Sequence, residues 1–123
     1  MPSTALLYFK SAIVLLIVGM AAGIAMSASG DHTIYSAHAH LNLLGFVVTA
    51  IYGAFFALSP ASAAGRLAKI VLVLHVGGTA VMFPSLSLLL LGNTAIEPVV
   101  AASSVLIFLA AIGFAVAVFR RTA

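Results

Sequence analysis

Apolar residues fall into four long runs, and polar residues collect in the gaps between them. The runs cover about 8–27, 33–58, 66–91 and 96–119. Each is close to the ~20 residues a helix needs to cross a hydrocarbon core. The gaps read SASGDH (27–32), SPASAAG (59–65) and GNTAIEP (92–98), rich in the Gly, Ser, Pro and Asn that interrupt helices. The pattern predicts an all-α, polytopic membrane protein, with four transmembrane helices forming one domain over residues 1–123. Asp31 is placed to cap the second helix, and Pro98 suits the first turn of the fourth. The first run carries a single base near its start and outlasts the apolar core of a secretory leader, so it reads as a permanent helix.

Composition sharpens this picture. With 64% hydrophobic and 6% charged residues, the chain cannot be a soluble domain. Cysteine is absent, which excludes a disulfide, an iron–sulfur cluster, a thiolate ligand and covalent haem attachment. If the runs alternate in direction, Lys10, Arg66, Lys69, Arg120 and Arg121 fall on one side and Asp31 and Glu97 on the other. The positive-inside rule then puts both termini in the cytoplasm, in the inner (cytoplasmic) membrane. The second helix runs inward from the outer face. The bases are scattered over segment ends, so they report orientation and argue against nucleic acid as a partner.

Small residues mark possible close approaches. Gly19 and Gly23 lie four apart in the first helix, and Gly45, Thr49 and Gly53 repeat every four residues in the second. Such stripes serve packing within a chain or contacts between copies.

The histidines are the polar groups that composition does not explain. His32 falls in the outer loop, where a solvated side chain is expected. His38 and His40 stand in YSAHAHLNLLGF (35–46) on the second helix, and His75 is on the third. Imidazole is costly to leave in hydrocarbon, and in its neutral form it is a common ligand for haem iron, copper and zinc. Two residues along an α-helix turn ~200°, so His38 and His40 point to nearly opposite sides. They cannot share one small ion, but they can serve two sites. Asn42, four residues after His38, shares its face and is placed to orient a bound group. A lone histidine here would read as an interhelical hydrogen bond of ~0.6 kcal/mol. A pair plus a third, with no carboxylate inside the membrane, points to ligation. With the second and third helices folded as a hairpin about Ala61–Ser62, His40 and His75 differ in height by roughly 12 Å, which gives His75 a site of its own. Pro84 removes a backbone donor from the third helix, and Ser85 and Ser87 are near enough to compensate.

The stretch AHAHLNLLGFVVTAIYGAFF (37–56) resembles the tenth transmembrane helix of the large subunit of haem–copper oxidases and nitric oxide reductases. That helix carries a His-x-His pair followed by a glycine, and its histidines go to two different haems on opposite faces. By this resemblance His38 matches the ligand of the high-spin haem, His40 that of the low-spin haem, and Gly45 the glycine. The family subunit has twelve helices in three arcs of four, with the haem-bearing helix second in its arc. This chain is similar to one arc. The resemblance implies a homo-oligomer, a trimer by the family's threefold layout, with haem clamped between His38 of one copy and His40 of the next. His75 sits on the third helix, as do the family's paired copper ligands, but it is followed by Val76. Copper at His75 is therefore the part of the resemblance with least behind it.

The function implied is that of a membrane protein holding haem b non-covalently. It would transfer electrons from a donor, or bind and reduce oxygen or nitric oxide, as an oxidoreductase of the haem–copper type. Two readings from the residues alone stand beside it: a non-enzymatic copper- or zinc-binding membrane protein, and a small structural subunit whose histidines tie helices together.

Overall fold

A computed structural model describes residues 1–121. Helices α1 (Ser3–Ser29), α2 (Tyr35–Leu58), α3 (Arg66–Leu90) and α4 (Thr94–Arg120) are each long and apolar enough to cross a membrane. No strand occurs among the described residues. This is the build of a multi-pass membrane protein. The helix limits follow the apolar runs closely except at the start. There α1 begins at Ser3 because Thr4, Ala5 and Tyr8 are buried in the protein and extend the packed face.

The gaps close by local chemistry. Gly30 ends α1 in the left-handed region at φ 71°, its N–H donating to the Met26 carbonyl at 3.0 Å. Asp31 does not cap α2 as expected. The cap position is Ile34, without a side-chain hydrogen bond. Asp31 lies too early in the chain for that role and instead accepts from the Thr33 hydroxyl and from the Thr33 N–H, the latter at 3.0 Å. These bonds hold its carboxyl below the ordinary carboxylate range. The second gap contains a short helix, Pro60–Ala64, opened by Pro60. Arg121 Nε donates to Ser59 Oγ at 2.9 Å and ties the end of α4 to this connection. Pro98 does occupy the first turn of the last α-helical stretch, Glu97–Arg120.

The helices pack in chain order as an arc: α1 on α2, α2 on α3, α3 on α4. The middle pair, α2 and α3, is more enclosed than α1 and α4. The apolar core includes Tyr8, Tyr52, Phe56, Val71 and Ala110. Tyr8 donates its hydroxyl to the Ala68 carbonyl at 2.6 Å and joins α1 to α3. Tyr52 stacks on Phe114 at a centroid distance of 4.1 Å and joins α2 to α4. In α3 Pro84 leaves the helix continuous. Ser85 and Ser87 donate to the Val81 and Phe83 carbonyls, both at 2.7 Å. The carbonyl that loses its donor is that of Ala80, four residues before the proline, and neither serine reaches it.

Candidate functional site

The histidine pair lies on the first, regular α-helical stretch of α2, Tyr35–His40, so the ~200° divergence holds. His38 faces α1. Its Nδ1 lies 2.8 Å from the Gly19 carbonyl oxygen. Its ring covers Gly23, where an added methyl carbon would come within 2.9 Å of Cε1. Asn42 follows on the same face and fills the notch at Gly19, where a methyl carbon would fall on its Oδ1. Gly19 and Gly23 are thus the seat for two polar side chains of α2. Sequence reasoning noticed the glycine pair and missed what it accommodates.

His40 looks the other way. It is exposed, on the face that carries Leu43, Val47 and Ile51. Its Nδ1 lies 2.7 Å from the Ser36 carbonyl oxygen one turn back. A carbonyl oxygen can only accept, so in both rings Nδ1 carries the proton and the neutral imidazole has its lone pair on Nε2. A backbone carbonyl on the far nitrogen is also the support that orients metal-bound imidazoles.

Directly after His40 the helix widens. Residues Leu41–Val48 are π-helical, between α-helical stretches on either side. Ala37, Leu41, Gly45, Thr49 and Gly53, spaced by four, are all buried. In a regular α-helix four residues turn ~400°, so such a row would drift ~40° per step. The widened turns absorb the drift and keep the row against α1, with Gly45 over Leu15 and Gly53 over Tyr8. Of the two uses such a stripe can serve, packing within the chain is the one seen at Gly45 and Gly53, which α1 of the same chain covers.

At the end of the widened stretch Thr49 N–H bonds to Phe46 O, and the Leu44 carbonyl accepts from Thr49 Oγ1 at 2.9 Å and from His75 Nε2 at 2.8 Å. His75 is fully buried, with Tyr52 edge-on at a centroid distance of 5.1 Å. It therefore reaches α2 one turn inward of His40, which agrees in direction with the height offset read from the hairpin. Its Nε2 is committed to the backbone. Its Nδ1, with Asn42 Oδ1 and Thr79 Oγ1, is buried without a hydrogen-bond partner. Leaving such atoms unpaired costs about 1–3 kcal/mol each.

The site residues thus divide. His38 and Asn42 share one face, His40 has the opposite one, and His75 is deeper. Among the described residues no three of His, Cys, Asp and Glu converge. His32 is exposed in the α1–α2 loop, its Nδ1 3.2 Å from the Gly30 carbonyl oxygen. No protein family, curated protein or solved structure matches the chain.

Proposed function

We propose that this chain is a b-type haem protein of the inner membrane, related to the haem–copper oxidases, with both termini in the cytoplasm and His38 and His40 as axial ligands. One observation carries the reading. Both imidazoles hold Nδ1–H on a backbone carbonyl, which puts the lone pair of each on Nε2, exposed at His40 and lying against Gly23 of α1 at His38. That tautomer is the one a ligating histidine needs, and the carbonyl partner raises its basicity and fixes its plane. A histidine that ties helices together spends a bond between them, as His75 does on Leu44 and His38 does on Gly19. His40 spends its bond within its own helix and exposes the rest of the ring.

Haem supplies the one-electron redox chemistry. The chain would supply two oriented nitrogen ligands and, at Asn42, a polar group beside His38. Because the two rings diverge, a haem held by His40 would draw further residues from another copy docked on the exposed His40–Leu43–Val47–Ile51 face of α2. With histidines engaged on both of its sides, such a haem would serve electron transfer rather than reduction of oxygen or nitric oxide.

A visible spectrum of the purified protein tests this. Sharp α and β bands on reduction are the expected result. Bound copper or zinc with no Soret band would replace haem with metal handling, and absence of both would leave the histidines as structural groups.

A further inference from the structure

The histidines occupy one end of the arc, and the opposite end carries a feature of a different kind. Between the α2–α3 connection and the end of α4 lies a cavity of about 450 Å³, lined among others by Ser62, Gly65, Arg66, Ala117 and Arg120. Arg66 and Arg120 come from elements 54 positions apart (120 − 66) and meet on this one cavity. Among the described residues neither has an ion-pair or hydrogen-bond partner beyond helical backbone bonds, and both side chains are exposed. The chain's two acidic side chains, Asp31 and Glu97, stand at the other end, so among the described residues no side-chain carboxylate is placed to neutralise them. A second cavity of about 430 Å³ adjoins the same connection and adds Lys69. This basic end sits where helices that cross a bilayer emerge into the headgroup layer.

From these observations we infer that the Arg66–Arg120 cavity is a binding site for a phosphate group, carried by an anionic phospholipid headgroup or present as free phosphate. Guanidinium presents parallel N–H donors that match two phosphate oxygens, and two such groups on one concavity select an anion with several acceptors. The negative potential of a membrane surface attracts each basic residue held near it. A phosphate bridging Arg66 and Arg120 would clamp the start of α3 to the end of α4, and with it the connection that Arg121 reaches through Ser59. This site is independent of haem.

The test is thermal stability of the detergent-purified protein in phosphatidylcholine vesicles with and without phosphatidylglycerol, and separately with inorganic phosphate. Wild type should melt higher with phosphatidylglycerol. The doubly substituted R66Q/R120Q protein should lose that gain, while K10Q, which removes a base outside the cavity, should keep it. Stabilisation by phosphatidylglycerol alone identifies a lipid site, and equal stabilisation by inorganic phosphate identifies a free-anion site. If R66Q/R120Q fails to fold, native mass spectrometry of wild type decides: retention of phosphatidylglycerol or phosphate supports the site, and retention of neither overturns it. An equal gain in wild type and R66Q/R120Q, or no gain from either probe in wild type, also overturns it.

Discussion

His38 and His40 differ by one intervening alanine and have entirely different surroundings. The first is pressed onto a glycine seat on α1, and the second faces outward from the arc. Both should nonetheless be indispensable. On the proposed reading His38→Ala and His40→Ala are each expected to lose haem, because each would remove an iron ligand. Asn42→Ala is expected only to weaken binding or retune the spectrum, since Asn42 stands beside His38 and holds no iron. Haem per chain by pyridine haemochrome in detergent is the measurement. Full retention in both histidine variants would sink the ligand assignment. A finer probe is Gly23→Ala. Its new methyl would come within 2.9 Å of His38 Cε1 and push the ring, so it should shift the spectrum without abolishing binding. An unchanged spectrum would show that the seat does not orient His38.

Among the elements, α2 is the one whose register depends on another helix. Its Leu44 carbonyl has two side-chain donors, and one comes from α3. His75→Ala removes that donor and opens a cavity in a packed interior. A loss of about 2–5 kcal/mol is the scale for truncating large buried side chains. Low-spin haem should survive, because His75 lies inward of the pair and faces neither Nε2. Loss of the low-spin bands in this variant, with a folded protein by circular dichroism, would make His75 an axial ligand. The close packing of α1 on α2 is tested by glycines. Gly53→Ala puts a methyl 2.8 Å from Tyr8 Cβ, an atom too near the backbone to swing aside, and should lower stability by about 1–3 kcal/mol. Gly77→Ala meets nothing within 4 Å and should be neutral or gain up to about 1 kcal/mol from helix propensity. Equal melting temperatures for the two variants would contradict this packing.

For the whole molecule, the arc leaves an imidazole on its outer face. Tyr35, Leu43, Val47 and Ile51 share the exposed surface of α2 with it. An imidazole unpaired in lipid is unfavourable by an amount on the order of kcal/mol. A second copy that encloses His40 would remove this cost and, on the proposed reading, bring a second iron ligand. Native mass spectrometry in mild detergent should therefore show a homo-oligomer, a trimer on the threefold arrangement, with haem lost when the oligomer dissociates. A monomer holding its full haem complement would refute haem at the interface. Val47→Arg, which charges the proposed docking face about two turns beyond His40, should break the oligomer and release haem together.

Much of this architecture was written in patterns that act over short range. Four helices follow from runs of apolar residues long enough to cross a bilayer, since an unpaired backbone in hydrocarbon leaves helices as the only open-ended solution. The opposed histidines follow from helix angle alone. Charge segregation follows from where five bases and two acids stand. What the chain could not announce locally required knowing which helix meets which. Gly19 and Gly23 were visible, but not that an imidazole and an amide of α2 would fill the space their missing side chains leave. The four-residue spacing of Ala37, Leu41, Gly45, Thr49 and Gly53 was itself a sign of a widened helix. It became meaningful only once α1 lay along that row and His75 supplied a donor to Leu44. Hydrophobic periodicity is a property of one segment. The partner of a carbonyl, the occupant of a notch and the meeting of Arg66 with Arg120 are properties of chain segments far apart in sequence, and only packing brings them together.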